Sequence, residues 1–233
     1  MRPHLKICTV AISFALLSLV ACGGGGGDVK GADGQVAADI TSSNIQSWGN
    51  GSLGTNRWVG VSATVPQVSV FIPAASGAIE LDLAAKARNA IGTINRKLAG
   101  NLVLNEVSAV PASGGYLRVS YSTSYVPSGS TDYAGFCANV STGAGLPNVV
   151  DPTPTSGTRN DKVAWINLGN GRCDVTQDIV IHEFGHGLGL NKHFEGFGYP
   201  EALSTQFWDV LATLYGNPVR TLATQLMVKR AAS

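Results

Sequence analysis

The run HEFGHGLGLNKHF, His182 to Phe194, places three histidines, one glutamate and three glycines in thirteen residues. His182 and His186 are four apart, so on a helix both imidazoles leave the same face about one turn apart and reach a single metal ion. Glu183, beside the first histidine, is poorly placed to join the same coordination site. It is well placed to hold a water next to the ion and take its proton.

With 4 His and 5 Glu among 233 positions, a chance HExxH is expected roughly 0.0015 times, so accident is a poor explanation of the pattern. Three histidines, His182, His186 and His193, fall within twelve residues, and the fourth is His4 near the start of the chain. Three is the number of protein ligands that a catalytic zinc takes when it keeps one position open for water. The alternative third ligand is a more distant carboxylate, as in zinc sites of two His and one Glu; Glu201 is the leading one, with Glu195 and Asp209 as further oxygens.

The residues His182, Glu183, His186 and Gly189 resemble the metzincin pattern HExxHxxGxxH. In that pattern the glycine ends the helix and turns the chain so that a third histidine reaches zinc. By that count the third ligand falls on Lys192, and His193 stands one residue beyond it. Upstream, VAWINLG is similar to the strand before the active-site helix of matrixin-like domains, and FWDVLATLYG to their terminal helix. The specific likeness runs from about Lys162 to Pro218. A second departure concerns the methionine turn that metzincins place beneath the zinc: no Met lies between His193 and Phe207, and Met227 follows the last helix. Either Phe197 or Tyr199 in FEGFGYPEAL supplies that floor, or the topology differs.

The resemblance implies a zinc endopeptidase acting on a protein or peptide substrate. Zinc on His182, His186 and His193 would polarise the scissile carbonyl, Glu183 would act as general base, and Tyr199 is a further candidate donor to the oxyanion. The competing reading is a non-catalytic surface protein that keeps a zincin fold for binding or structure. The late histidine and the missing methionine favour it; Glu183 argues against it, because a structural zinc needs no base and uses four protein ligands.

The rest of the chain says where such a site would work. Arg2, His4 and Lys6 precede the apolar run ICTVAISFALLSLVA, which reads as an export signal over residues 1–21. LVAC, ending at Cys22, resembles the lipobox of bacterial lipoproteins, which implies lipidation of Cys22 and a membrane anchor in the cell envelope. Gly23 lacks the aspartate that retains such proteins at an inner membrane, so the outer membrane is the expected address. The glycines Gly23 to Gly27 open a polar tether expected over 22–44, leaving 45–233 as the catalytic domain. Once Cys8 and Cys22 are set aside, Cys137 and Cys173 remain, a candidate disulfide in an exported protein. Charged residues are only 13% and the net charge is +1, so no field draws the chain to nucleic acid.

These side chains need elements to position them. Alternation over RWVGVSATVPQVSVFIP, NLVLNEVSAV, GYLRVSYSTSYV and DKVAWINLG predicts strands. Ile79–Gly100 has helical spacing, residues 127–160 carry loop chemistry, and STQFWDVLATLYGNP predicts a terminal helix. Asp174 and Gln177, three apart, form a D-x-x-Q capping box at the head of the motif helix. The expected fold is α+β, zincin-like, with a twisted mixed sheet, an active-site helix and a C-terminal helix.

Overall fold

The computed structural model describes residues 33–45, 54–59, 65–121, 138–142, 163–169, 174–198 and 203–233. Among them a five-stranded mixed sheet is packed against two helices. The strands are β1 (Gln67–Phe71), β2 (Val103–Val107), β3 (Tyr116–Ser120), β4 (Ala138–Thr142) and β5 (Val163–Leu168), in the order β2-β1-β3-β5-β4. All pairs are parallel except β4 with β5, which is antiparallel and puts β4 at one edge.

The parallel pair β1 and β2 needs a crossover, and α2 (Gly77–Lys97) supplies it. Its buried residues Leu83, Ala84, Ala87, Ala90, Ile91 and Ile94 recur at helical spacing and form the stripe that lies on the sheet. The sheet answers with one apolar face per strand: Val68 and Val70 from β1, Leu117 and Val119 from β3, Ala164, Ile166 and Leu168 from β5. Asn95 on α2 stitches the helix to β2, accepting from Leu104 N at 2.7 Å and donating to Leu104 O at 2.9 Å. The motif helix α3 (Gln177–Gly187) packs against α2, β4 and β5, and α4 (Thr205–Gly216) is buried along most of its length.

Three expectations need correction. Residues 33–44, expected as part of a tether, are not one: α1 (Asp33–Ile40) and the single turn of π-helix Thr41–Ile45 pack into the core. Val36 and Ile40, one turn apart, are fully buried where α1 meets α4. The stretch 127–160 is not all loop, because β4 lies within it. Asp174 does not cap α3 either; Thr176 does, its Oγ1 accepting from Ile179 N at 3.3 Å. Asp178 then places a negative charge in the first turn, where the helix dipole favours it.

Candidate metal centre

The motif helix delivers its two histidines as the spacing predicts, on one face, and then stops. Gly189, two residues past the helix, has φ +120°. A Cβ there would also meet Asn44 Nδ2 and Asn56 O at 3.0 Å, so both conformation and space require glycine. The chain turns back, and Asn191 N donates to Ser43 O at 2.8 Å. His193 follows. Phe194 and Phe197 then pair backbone to backbone around a tight turn, with Gly196 at φ +82°.

This path brings three imidazole nitrogens to one point. The Nε2 atoms of His182 and His186 are 3.0 Å apart, those of His186 and His193 3.2 Å, and those of His193 and His182 3.1 Å. Three nitrogens on one tetrahedral zinc at ordinary bond lengths stand about 3.3 Å apart, so the triangle fits that ion to within a few tenths of an ångström. His186 Nδ1 lies against Leu190 O. A carbonyl only accepts, so Nδ1 carries the hydrogen and the Nε2 of the neutral ring presents a lone pair. Burial is the main cause that lowers all three histidines: His182 to about 3, with the neighbouring histidines adding to the fall, His186 to about 4, and His193 in the same direction. Neutral rings are the form a metal binds.

Glu183 is 6% exposed, and its Oε2 has no hydrogen-bond partner among the described residues. Desolvation pushes its carboxyl up to about 8. A buried carboxylate without a donor is costly. A cation nearby would reverse that penalty, so the orphaned oxygen and the nitrogen triangle both fit a metal site.

The floor of the site is Phe197, which is fully buried. Its ring centroid lies 4.5 Å from His182, 4.9 Å from His186 and 5.5 Å from His193. Behind it Phe207 of α4 stacks at 5.0 Å. Gly185 makes room for this stack, since a Cβ on it would meet Phe207 Cε2 at 2.8 Å and Phe197 Cε2 at 3.0 Å. Met227 lies in the C-terminal tail, 59% exposed, and takes no part.

Of the candidate oxygens, Asp209 is committed elsewhere. It is 1% exposed and accepts from Arg230 Nη1 at 2.7 Å and Ala231 N at 2.9 Å. Glu195 is exposed and lies outside the cluster of candidate ligands. Glu201, Tyr199, Cys22, Cys137 and Cys173 lie outside the described residues, as do the signal and the first part of the tether. Of the two floor candidates, Phe197 takes the place and Tyr199 lies outside the described residues; the clash that explains Gly185 has no signal in the sequence.

No family model and no curated protein matches the chain. Among solved structures it is similar to high choriolytic enzyme 1, a hatching enzyme zinc-protease from Oryzias latipes, the medaka fish. The identity is 14% and the TM-score 0.36, over 63% of this chain and 53% of that one. The chain thus spans about half the length of that enzyme, and the functional reading rests on the side chains described above.

Proposed function

We propose that the chain is a zinc-dependent peptidase of metzincin-like design, with His182, His186 and His193 as ligands and Glu183 as general base. The observation that carries the reading is the nitrogen triangle of 3.0–3.2 Å, with the buried, partnerless carboxyl oxygen of Glu183 on the residue next to His182. Zinc, when bound, supplies a Lewis acid that polarises the scissile carbonyl and makes water acidic enough to lose a proton near neutral pH. The chain's own residues do the remainder. Glu183 takes the proton from the attacking water and returns it to the leaving amine, a shuttle that suits a carboxylate held out of bulk solvent. His182 and His186, kept neutral by burial, compete weakly for protons. Phe197 closes the side away from substrate.

Peptide or protein is the proposed substrate because this pairing of Lewis acid and base hydrolyses an amide, and Tyr199 remains a proposed oxyanion donor. Export as a lipoprotein through Cys22, a Cys137–Cys173 disulfide and an outer-membrane address belong to the same proposal and follow from the N-terminal sequence and the cysteine count.

The test is cleavage of an unfolded protein substrate by the full chain loaded with zinc, then stripped with a chelator, then reloaded. Loss on stripping and return on reloading supports the reading; cleavage that survives complete metal removal rejects it. Zinc content of His193→Ala and Glu201→Ala, measured alongside, separates the two ligand schemes. His193→Ala is expected to lose zinc and Glu201→Ala to keep it.

A further inference from the structure

Four consecutive carbonyls at the end of α3 are each taken by a side-chain donor. Trp58 Nε1 donates to Gly187 O at 2.8 Å, Tyr215 OH to Leu188 O at 2.8 Å, and Asn44 Nδ2 to Gly189 O at 2.9 Å. His186 Nδ1 takes the fourth, Leu190 O. Every helix leaves its last carbonyls without partners in the helix, and a glycine turn with one or two backbone bonds is the common answer. Here the donors come from sequence separations of 129, 27 and 145 residues.

The three imported donors are buried: Asn44 and Trp58 are 0% and 1% exposed, Tyr215 3%. The Asn44 amide is fully used. Its Oδ1 accepts from Asn56 N at 2.9 Å, one N–H goes to Asn56 O at 2.7 Å, and the other to Gly189 O. The backbone bond from Asn191 N to Ser43 O carries the same attachment two residues past Gly189.

We infer that Asn44, Trp58 and Tyr215 are positioning residues of the metal centre, fixing the path of residues 187–190 so that His193 is presented to the other two imidazoles. The inference rests on the metal-binding reading of the histidine triad. His182 and His186 share a helix and hold each other's geometry, whereas His193 arrives by a turn. That turn is one residue longer than the motif spacing calls for, and a longer connection has more conformations to lose. Pinning each carbonyl on the way removes them before the ion binds. Asn44 and Trp58, remote in sequence from the triad, thereby become part of the site's affinity.

The test uses Trp58→Phe and Tyr215→Phe in the full chain, each of which keeps a ring and removes one donor. Tyr121→Phe is the control, because it loses a comparable phenol bond to Pro73 O, 3.1 Å, on another part of the fold. Zinc affinity is read by competition with a chromophoric chelator, ligand geometry by the visible bands of the cobalt-loaded chain, and fold by circular dichroism without metal. The expected result is zinc binding about 10-fold or more weaker in both site variants, with fainter cobalt bands and an unchanged metal-free spectrum. Tyr121→Phe is expected to stay within about twofold of the parent. If one phenylalanine variant fails to fold, Asn44→Asp, which turns an oxygen toward Gly189 O, takes its place with the same expectation.

Parental zinc affinity in both folded site variants would overturn the inference, and so would an equal loss in Tyr121→Phe. A parent chain that binds no zinc would instead overturn the metal reading, and this inference with it.

Discussion

The ring of Phe197 stacks on that of His182, with centroids 4.5 Å apart and planes inclined by 29°. The same ring touches His186 and His193 and is backed by Phe207, so one side chain underlies all three candidate ligands. Truncating it opens a cavity under the site. Phe197→Ala is expected to cost about 3–5 kcal/mol and to weaken zinc binding. Phe197→Met keeps most of the volume, so it should cost less than about 1.5 kcal/mol and retain stoichiometric zinc. Thermal melting and metal analysis of the pair check this; an alanine variant as stable as the methionine one would remove Phe197 from the floor.

Gly185 predicts a steric effect in the middle of the motif. Alanine there drives a methyl into Phe207 and Phe197, so Gly185→Ala should destabilise by roughly 1–3 kcal/mol despite the better helix propensity of alanine. Adding Phe207→Leu should recover part of the loss, a coupling that a double-mutant cycle on melting data measures.

Protons act on the metal-free protein in two opposite ways. His182 and His186 are lowered by folding, so their contribution is complete above the unfolded value near 6.5 and is lost as pH falls toward the folded values of about 3 and 4. Glu183 is raised, so its contribution is complete below about 4.5 and is lost as pH rises through about 8. Glu183→Gln removes only the second effect. Its advantage over the parent, without metal, should therefore grow between pH 5 and pH 9, reaching on the order of 4 kcal/mol. A difference that does not vary with pH would contradict the assignment.

Asp209 tests the ligand set from another direction. Its oxygens serve Arg230 and Ala231, and Arg230 also meets Asp33, which ties the C-terminal tail to α4 and to the start of α1. Asp209→Asn should lower stability by about 2 kcal/mol, the half-exposed arginine moderating the loss. One zinc per chain should remain. Loss of zinc in a folded Asp209→Asn chain would reopen the carboxylate scheme.

The parts of this arrangement that were legible in the sequence are the local ones. His182 and His186 could be read because four residues on a helix fix two directions, and α2 because Leu83, Ala87, Ile91 and Ile94 repeat over many turns. The fate of His193 was open because Gly189 tells where a turn begins and not where it leads. Ser43, Asn44 and Trp58 decide that, and nothing in HEFGHGLGLNKHF points to them. α1 is not legible in the sequence, since eight residues opening with Asp-Gly are too short to hold a helix unaided; Val36 and Ile40 do it through α4. β4 is hard to read because its order comes from backbone pairing with β5, and the alternation in Ala-Asn-Val-Ser-Thr is short, with only Ala138 and Val140 as apolar residues.

A zinc held by three histidines with Glu183 as its base is tested by Glu183→Gln, assayed for zinc content and peptide cleavage together. The expected result is one zinc per chain, as in the parent, and cleavage reduced to background. Cleavage at the parental rate by the zinc-loaded glutamine variant would contradict it.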